Sequence, residues 1–326
     1  MNRRDFLKKT AAGTAVFGAS GLIETKSAKA QSGTGRMPRS VLGRTGVKVS
    51  RLGVGCGIFI AREFSTAEIH AVLETAVEMG VNYIDTAPNY PGVQNKMGPF
   101  VERNRDEIFL VSKVEDPTYQ GVWKQLRQTL KELRTDRLDL VHMHSFGDPK
   151  RWPDIGSIAA GDGALAALVE AKQKGVIGAI GASGHNNPHR YHALLDTGEI
   201  DVLMNVANFV MQHTYGFERK LWHRAREKNI GLVAMKVLGG VHPLTQREFR
   251  LSLDDYDDAV RYALSIPGVA TAVIGMRDPF EVEEAVNAVC GLAPLSDEEH
   301  FALYRKGLDI LARQPSLWRE AWGPEL

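Results

Sequence analysis

Cysteine is nearly missing from this chain: Cys56 and Cys290 are the only two in 326 residues. Two cysteines exclude a disulfide framework, and their spacing suits neither zinc nor an iron–sulfur cluster, so no metal site is expected. Long apolar runs are missing too. The stretch TAAGTAVFGASGLI near the start is too short and too rich in Gly and Thr to form a stable membrane anchor. An excess of one charge is also lacking, with 40 Lys and Arg against 39 Asp and Glu. That balance gives no reason to expect nucleic acid or an anionic membrane surface as a partner. Finally, no GxGxxG turn follows the first strand to open a helix, which removes the main support for a doubly wound dinucleotide fold.

What is present starts with a distinctive leader. Residues 1–30 carry paired Arg3 and Arg4, then Phe6 and Leu7, the short apolar stretch, and Ala28-Lys29-Ala30, a small-x-small cleavage pattern. This arrangement resembles a twin-arginine export signal cut near Ala30, before Gln31, with the Tat export machinery as its partner and the periplasm as destination. Without it the charge counts become 34 and 37, a net charge near −3. Residues 31–326 are then expected to form one domain, and 44% hydrophobic with 24% charged residues is ordinary for such a domain.

From about residue 39 the chain alternates short β-branched runs with longer amphipathic segments. RSVLGRTGVKVS reads as a hairpin turning at Gly43 to Gly46, followed by a glycine-rich strand over 52–56. TAEIHAVLETAVEMG places Ile69, Val72, Leu73, Ala76 and Val77 at helical spacing and stops at Gly80. Strands follow at VNYID, EIFLVSK, LDLVHMH, VIGAIGAS, DVLMNVA, IGLVAMKV and ATAVIGM. Between and after the later ones lie helical segments such as YQGVWKQLRQTLKELR, GALAALVEAKQKG, DYDDAVRYALS and PFEVEEAVNAV. Eight mostly apolar strands in this alternation predict a (β/α)₈ TIM barrel of parallel strands buried on both sides. SDEEHFALYRKGLDILAR, with its acidic start, reads as an extra C-terminal helix packed outside the barrel.

In such a barrel every strand ends at the same rim, so residues far apart in sequence converge there. Asp85 follows VNYI, Tyr90 comes five residues later, Lys113 follows EIFLVS, and His144 ends LDLVHM. A carboxylate, a phenol, an ammonium and an imidazole together suit proton transfer to a carbonyl oxygen as hydride reaches its carbon. Lys113 is expected to favour the Tyr90 phenolate and bring its pKa closer to working pH, Asp85 to hold Lys113 charged, and His144 to donate a hydrogen bond to the substrate oxygen. Each residue also has a plainer reading: a helix cap, a packed loop residue, a solvated strand end, a core histidine.

These residues, in this order, together with RSVLGRTGVKVSRLGVG, DTAPNY, LDLVHMH, GVIGAIGAS and VIGMRDPFEVEEAV, resemble the aldo/keto reductases over nearly the whole chain after the leader. The resemblance implies a catalytic tetrad of Asp85, Tyr90, Lys113 and His144, with Tyr90 as general acid. His142 is expected to face the opposite side of its strand. It further implies a nicotinamide dinucleotide, NADP(H) before NAD(H), held by Ser183, Lys236, Leu238, Gly275, Arg277 and Glu284. Departures occur at Met204, Met235, Gln94 and Glu281, the last a carboxylate where the family often has an arginine.

The function implied is reduction of an aldehyde, ketone or sugar carbonyl, or the reverse, with a small-molecule carbonyl or alcohol as partner. Phe59, Ile60, Trp123, Phe146 and Trp152 are candidates to line the substrate pocket. The alternative is an exported, non-catalytic carbonyl- or sugar-binding protein on the same barrel, which would have no need of all four tetrad residues. The sequence carries no signal for an oligomeric state.

Overall fold

The computed structural model describes residues 36–60, 63–241 and 248–313, so the leader and its cleavage point lie outside the described residues. Eight parallel strands close into a barrel: β3 (Leu52–Gly55), β4 (Tyr83–Asp85), β5 (Phe109–Val114), β6 (Leu138–Met143), β7 (Ile177–Gly184), β8 (Val202–Val206), β9 (Gly231–Met235) and β12 (Val269–Ile274). Closure is made by β12, which pairs with β9 on one side and β3 on the other. Helices cover the outer face and side chains fill the inside, so β5 and β12 are buried at every position.

Local chemistry sets the helix starts. Before α1 (Thr66–Glu78), Ser65 Oγ accepts from Glu68 N at 3.2 Å while the Ser65 amide donates to Glu68 Oε2 at 2.8 Å, a reciprocal cap. Its buried face is Ile69, Val72, Leu73 and Ala76, with Val77 only half-buried. Thr118 caps α3 (Tyr119–Leu133), and Asp278 with Pro279 opens α10 (Pro279–Cys290).

One long helix was not legible in the sequence. Residues Val93–Asn104 form α2 between β4 and β5, although Pro99 lies inside it and its composition is polar on average. Gly92, at φ 71°, turns the chain from Tyr90 into this helix, a conformation that favours glycine.

The N-terminal hairpin, β1 (Arg39–Val41) with β2 (Lys48–Ser50), covers the end of the barrel opposite the strand C-termini. Arg44 reaches Asp201 at 3.0 Å, just ahead of β8, and its amide donates to Asn229 O, just ahead of β9. At the other end, α11 (Asp297–Arg313) packs beside the loop after β8. Gly307 lies so close to the Phe209 carbonyl that an added Cβ would sit 2.0 Å from it. Both cysteines are free thiols. Among the described residues no helix is long and apolar enough to cross a membrane.

Candidate active site

Strand register brings the polar quartet to one rim. Asp85 ends β4 opposite Val111 of β5, so Lys113, one strand period further on, can reach back to it. Lys113 Nζ donates to both Asp85 carboxylate oxygens at 2.8 Å and to the Thr86 carbonyl at 2.7 Å. Both side chains are almost fully buried, at 2% and 5% exposure. The turn after β4 delivers Tyr90, whose ring centroid lies 5.3 Å from Lys113 Nζ. His144 follows β6 directly. Its amide donates to Val114 O, and its carbonyl accepts from the indole of fully buried Trp152 at 2.7 Å. Asp85, Tyr90, Lys113 and His144 all line one cavity of about 690 Å³.

Burial dominates the electrostatics. It pushes the Asp85 carboxyl up against the pull of Lys113, and it works to lower Lys113, whose neighbours Asp85 and Tyr90 outweigh it and hold the ammonium charged. Burial also raises the Tyr90 phenol. Lys113 pulls it down, as the sequence suggested, but does not overcome desolvation, so Tyr90 stays above its ordinary value and fully protonated. A half-buried phenol beside a cation suits giving up a proton to a developing alkoxide more than storing a phenolate.

His144 is pushed down to about 4, first by burial and then by the positive charges of Lys113 and Arg151, with Glu115 working the other way. It is therefore neutral at pH 7. Its Nδ1 lies 2.8 Å from Glu115 Oε1, which also accepts from Arg151 Nη1 at 2.6 Å. The hydrogen bond from His144 and the positive charges of Arg151 and Lys113 overcome burial and hold Glu115 below the usual carboxylate range.

Sequence reasoning missed both Glu115 and Arg151. The Lys113-Val114-Glu115 alternation was a usable signal for Glu115, since residues two apart on a strand share a side. The same rule corrects His142. It does not face away from the site but lies inside the barrel, and a Cβ at Gly181 would sit 2.3 Å from its Nδ1. Burial and nearby Lys113 keep it neutral.

The residues assigned to cofactor binding divide into two groups. Ser183, Lys236, Leu238 and Gly275 line the cavity, and so do Met204 and Met235. Ser183 Oγ is buried with no protein partner among the described residues, an orphaned hydroxyl at the cavity wall. A carboxamide is the kind of group that would satisfy it, so the residues present fit a nicotinamide. Arg277 and Glu284 are not among the lining residues. Arg277 is engaged with Glu281, its Nε donating to Oε1 at 2.9 Å and its amide to Oε2 at 2.8 Å.

Most of the aromatic candidates turn inward rather than to the cavity. Phe146 and Trp152 pack with Tyr191 and Phe217 in a buried cluster, and Phe59 packs against Phe64. Trp123 sits on an outer helix under Lys174. Only Ile60 of the five lines the cavity. Apolar rings gain more from full burial than from a wet rim, and the loop after His144 supplies the space. Gln94 also turns inward, donating to Ser112 Oγ at 2.8 Å.

The fold and its cavity define a (β/α)₈-barrel enzyme with its polar chemistry at the C-terminal mouth. The chain belongs to the aldo/keto reductase family, whose sequence pattern matches residues 51–251, more than half its length. It is thus an NAD(P)-dependent oxidoreductase. Protein tas of Escherichia coli strain K12 is 27% identical over 239 residues, 63% of this chain and 67% of that protein. Methylglyoxal reductase DkgB of Salmonella typhimurium is 29% identical over 140 residues, 41% of this chain and 49% of that protein. The aldo-keto reductase AKR11C1 from Bacillus halodurans, in its holo form, shares the fold, with TM-score 0.67 at 23% identity over 83% of this chain and 96% of that one.

Proposed function

We propose that this protein reduces an aldehyde, ketone or sugar carbonyl, or oxidises the corresponding alcohol, with Tyr90 as general acid and NADP(H) preferred over NAD(H). The observation that carries the reading is the convergence of Tyr90, Lys113, Asp85 and His144 on the cavity that also holds the orphaned Ser183 hydroxyl. When bound, the nicotinamide supplies a hydride to the carbonyl carbon. Ser183, Lys236, Leu238 and Gly275 would hold it against the cavity wall. Tyr90 holds the proton that the carbonyl oxygen receives, Lys113 stabilises the phenolate left behind, and Asp85 keeps Lys113 charged and aimed. The test is titration of the protein with NADPH and NADH, followed by assay on a panel of carbonyls. Binding of neither dinucleotide refutes the reading.

The leader adds a second part to the proposal. The protein is exported folded by the twin-arginine route, cut near Ala30, and carries its dinucleotide into the periplasm. With Ser183, Lys236, Leu238 and Gly275 keeping the dinucleotide in place, a second carbonyl or alcohol entering the same cavity would complete a ping-pong exchange. Protein isolated from the periplasmic fraction should contain nicotinamide by absorbance and mass spectrometry. Finding the protein only in the cytoplasm, with its leader intact, overturns export.

A further inference from the structure

We propose that Glu115, steadied by Arg151, is a positioning residue that holds His144 with its proton on Nδ1, and that preferred substrates accordingly carry a hydroxyl beside the reacting carbonyl. The inference rests on the reductase reading of the same cavity. Glu115 Oε1 receives His144 Nδ1 at 2.8 Å and Arg151 Nη1 at 2.6 Å. A guanidinium can only donate, and its charge keeps Glu115 ionised. An ionised carboxylate can only accept, so the hydrogen between Glu115 and His144 belongs to the imidazole.

Burial leaves the ring neutral, with a single proton to place. That proton is on Nδ1, and Nε2 is left as a lone pair. The bond to Glu115 keeps Nδ1 turned toward that carboxylate, and the backbone that carries the ring is tied at both ends, to Val114 O and to the Trp152 indole. No described protein group bonds Nε2, and His144 lines the cavity.

This reverses the role suggested by the sequence. A bare carbonyl oxygen offers lone pairs and finds no donor at Nε2. A hydroxyl on the adjacent carbon does find an acceptor there, while Tyr90 donates to the carbonyl oxygen. Leaving the Nε2 acceptor without a partner in the filled pocket penalises an analogue that lacks the hydroxyl.

Two measurements on the full chain decide the matter. The first is ¹⁵N NMR of the histidine rings, with His144 assigned by its disappearance in His144→Gln. A protonated Nδ1 supports the proposal, and a protonated Nε2 at neutral pH overturns it without reference to activity. The second compares kcat/KM for 2-hydroxypropanal and propanal. About a tenfold preference for the hydroxyaldehyde is expected in the native protein. It should fall to about twofold or less in Glu115→Leu and persist in Glu115→Gln, whose amide oxygen can accept both bonds. Equal use of both aldehydes by the native protein, or an unchanged preference in Glu115→Leu, refutes the proposal. A protein that reduces neither aldehyde refutes the reductase reading and the hydroxyl preference with it, while the NMR result still judges the hold of Glu115 on His144.

Discussion

Replacing Lys113 by Met removes one partner of the most deeply buried ion pair described in the barrel. The substitution takes away three donated hydrogen bonds, two to Asp85 and one to the Thr86 carbonyl. Asp85 then has no cation beside it in a site where its side chain is 5% exposed. Breaking one side of such a pair costs about 3–5 kcal/mol, mostly because the survivor is stranded. In urea, with a slope of about 3 kcal/mol per molar, the midpoint should drop by about 1 to 1.7 M. The double variant Asp85→Leu/Lys113→Met removes both charges and should recover to within about 2 kcal/mol of the native protein, although carbonyl reduction is lost in both. Urea unfolding followed by circular dichroism measures all three proteins. A single variant that unfolds within about 0.3 M of the native midpoint, or a double variant less stable than the single, refutes the stranded-charge reasoning.

Other predictions concern groups around and beyond the cavity. Glu218, beneath the Tyr262 hydroxyl at 2.9 Å, is pushed up to about 7 by burial. Its folded value lies above the unfolded one, so stability present below pH 4.5 is lost as pH rises to about 7. Glu218→Gln should therefore match the native protein near pH 4.5 and exceed it by at most about 3 kcal/mol above pH 7, as read by urea unfolding. His144 has the opposite sign: its folded value of about 4 lies below the unfolded 6.5. Its contribution, about 3 kcal/mol, is complete above pH 6.5 and is lost as pH falls toward 4, a slope that should be missing from His144→Leu. Gly307→Ala should weaken docking of α11 by about 1–3 kcal/mol, visible as a lower melting temperature, because its Cβ meets the Phe209 carbonyl. Glu281→Gln should tighten NADPH binding about two- to fivefold by loosening the grip on Arg277, with little change for NADH. Equal effects on the two dinucleotides would exclude Arg277 from contact with the extra phosphate that distinguishes NADPH from NADH.

The barrel was legible because its strands are apolar on both faces and its helices show a regular stripe. Ile69, Val72, Leu73 and Ala76 are an example, all buried against the strands. Helix α2 was not, because Pro99 reads as a helix breaker and the segment has few apolar residues to show a period. Asp85, Lys113 and His144 stood out as polar residues at the ends of apolar runs, and the structure brings them with Tyr90 to one cavity. Glu115 did not stand out, since a carboxylate opening a loop is the commonest solvated residue, and its meaning depends on Arg151 arriving from 36 residues further along. The inward turn of Phe146 and Trp152 was equally hidden, because a rim ring and a core ring look alike until a partner such as Tyr191 is in place. His142 was misjudged by a period error that the strand itself corrects.

The most direct test of the central claim is Tyr90→Phe, which removes only the hydroxyl that is assigned the transferred proton. Dinucleotide affinity, followed by nicotinamide fluorescence, should stay within about twofold of native, because Ser183 and the far wall of the cavity are untouched. Carbonyl reduction, followed by nicotinamide absorbance, should fall by a factor of about 10²–10⁴. Turnover within a few-fold of the native rate would contradict the assignment of Tyr90 and the proton-transfer site built around it.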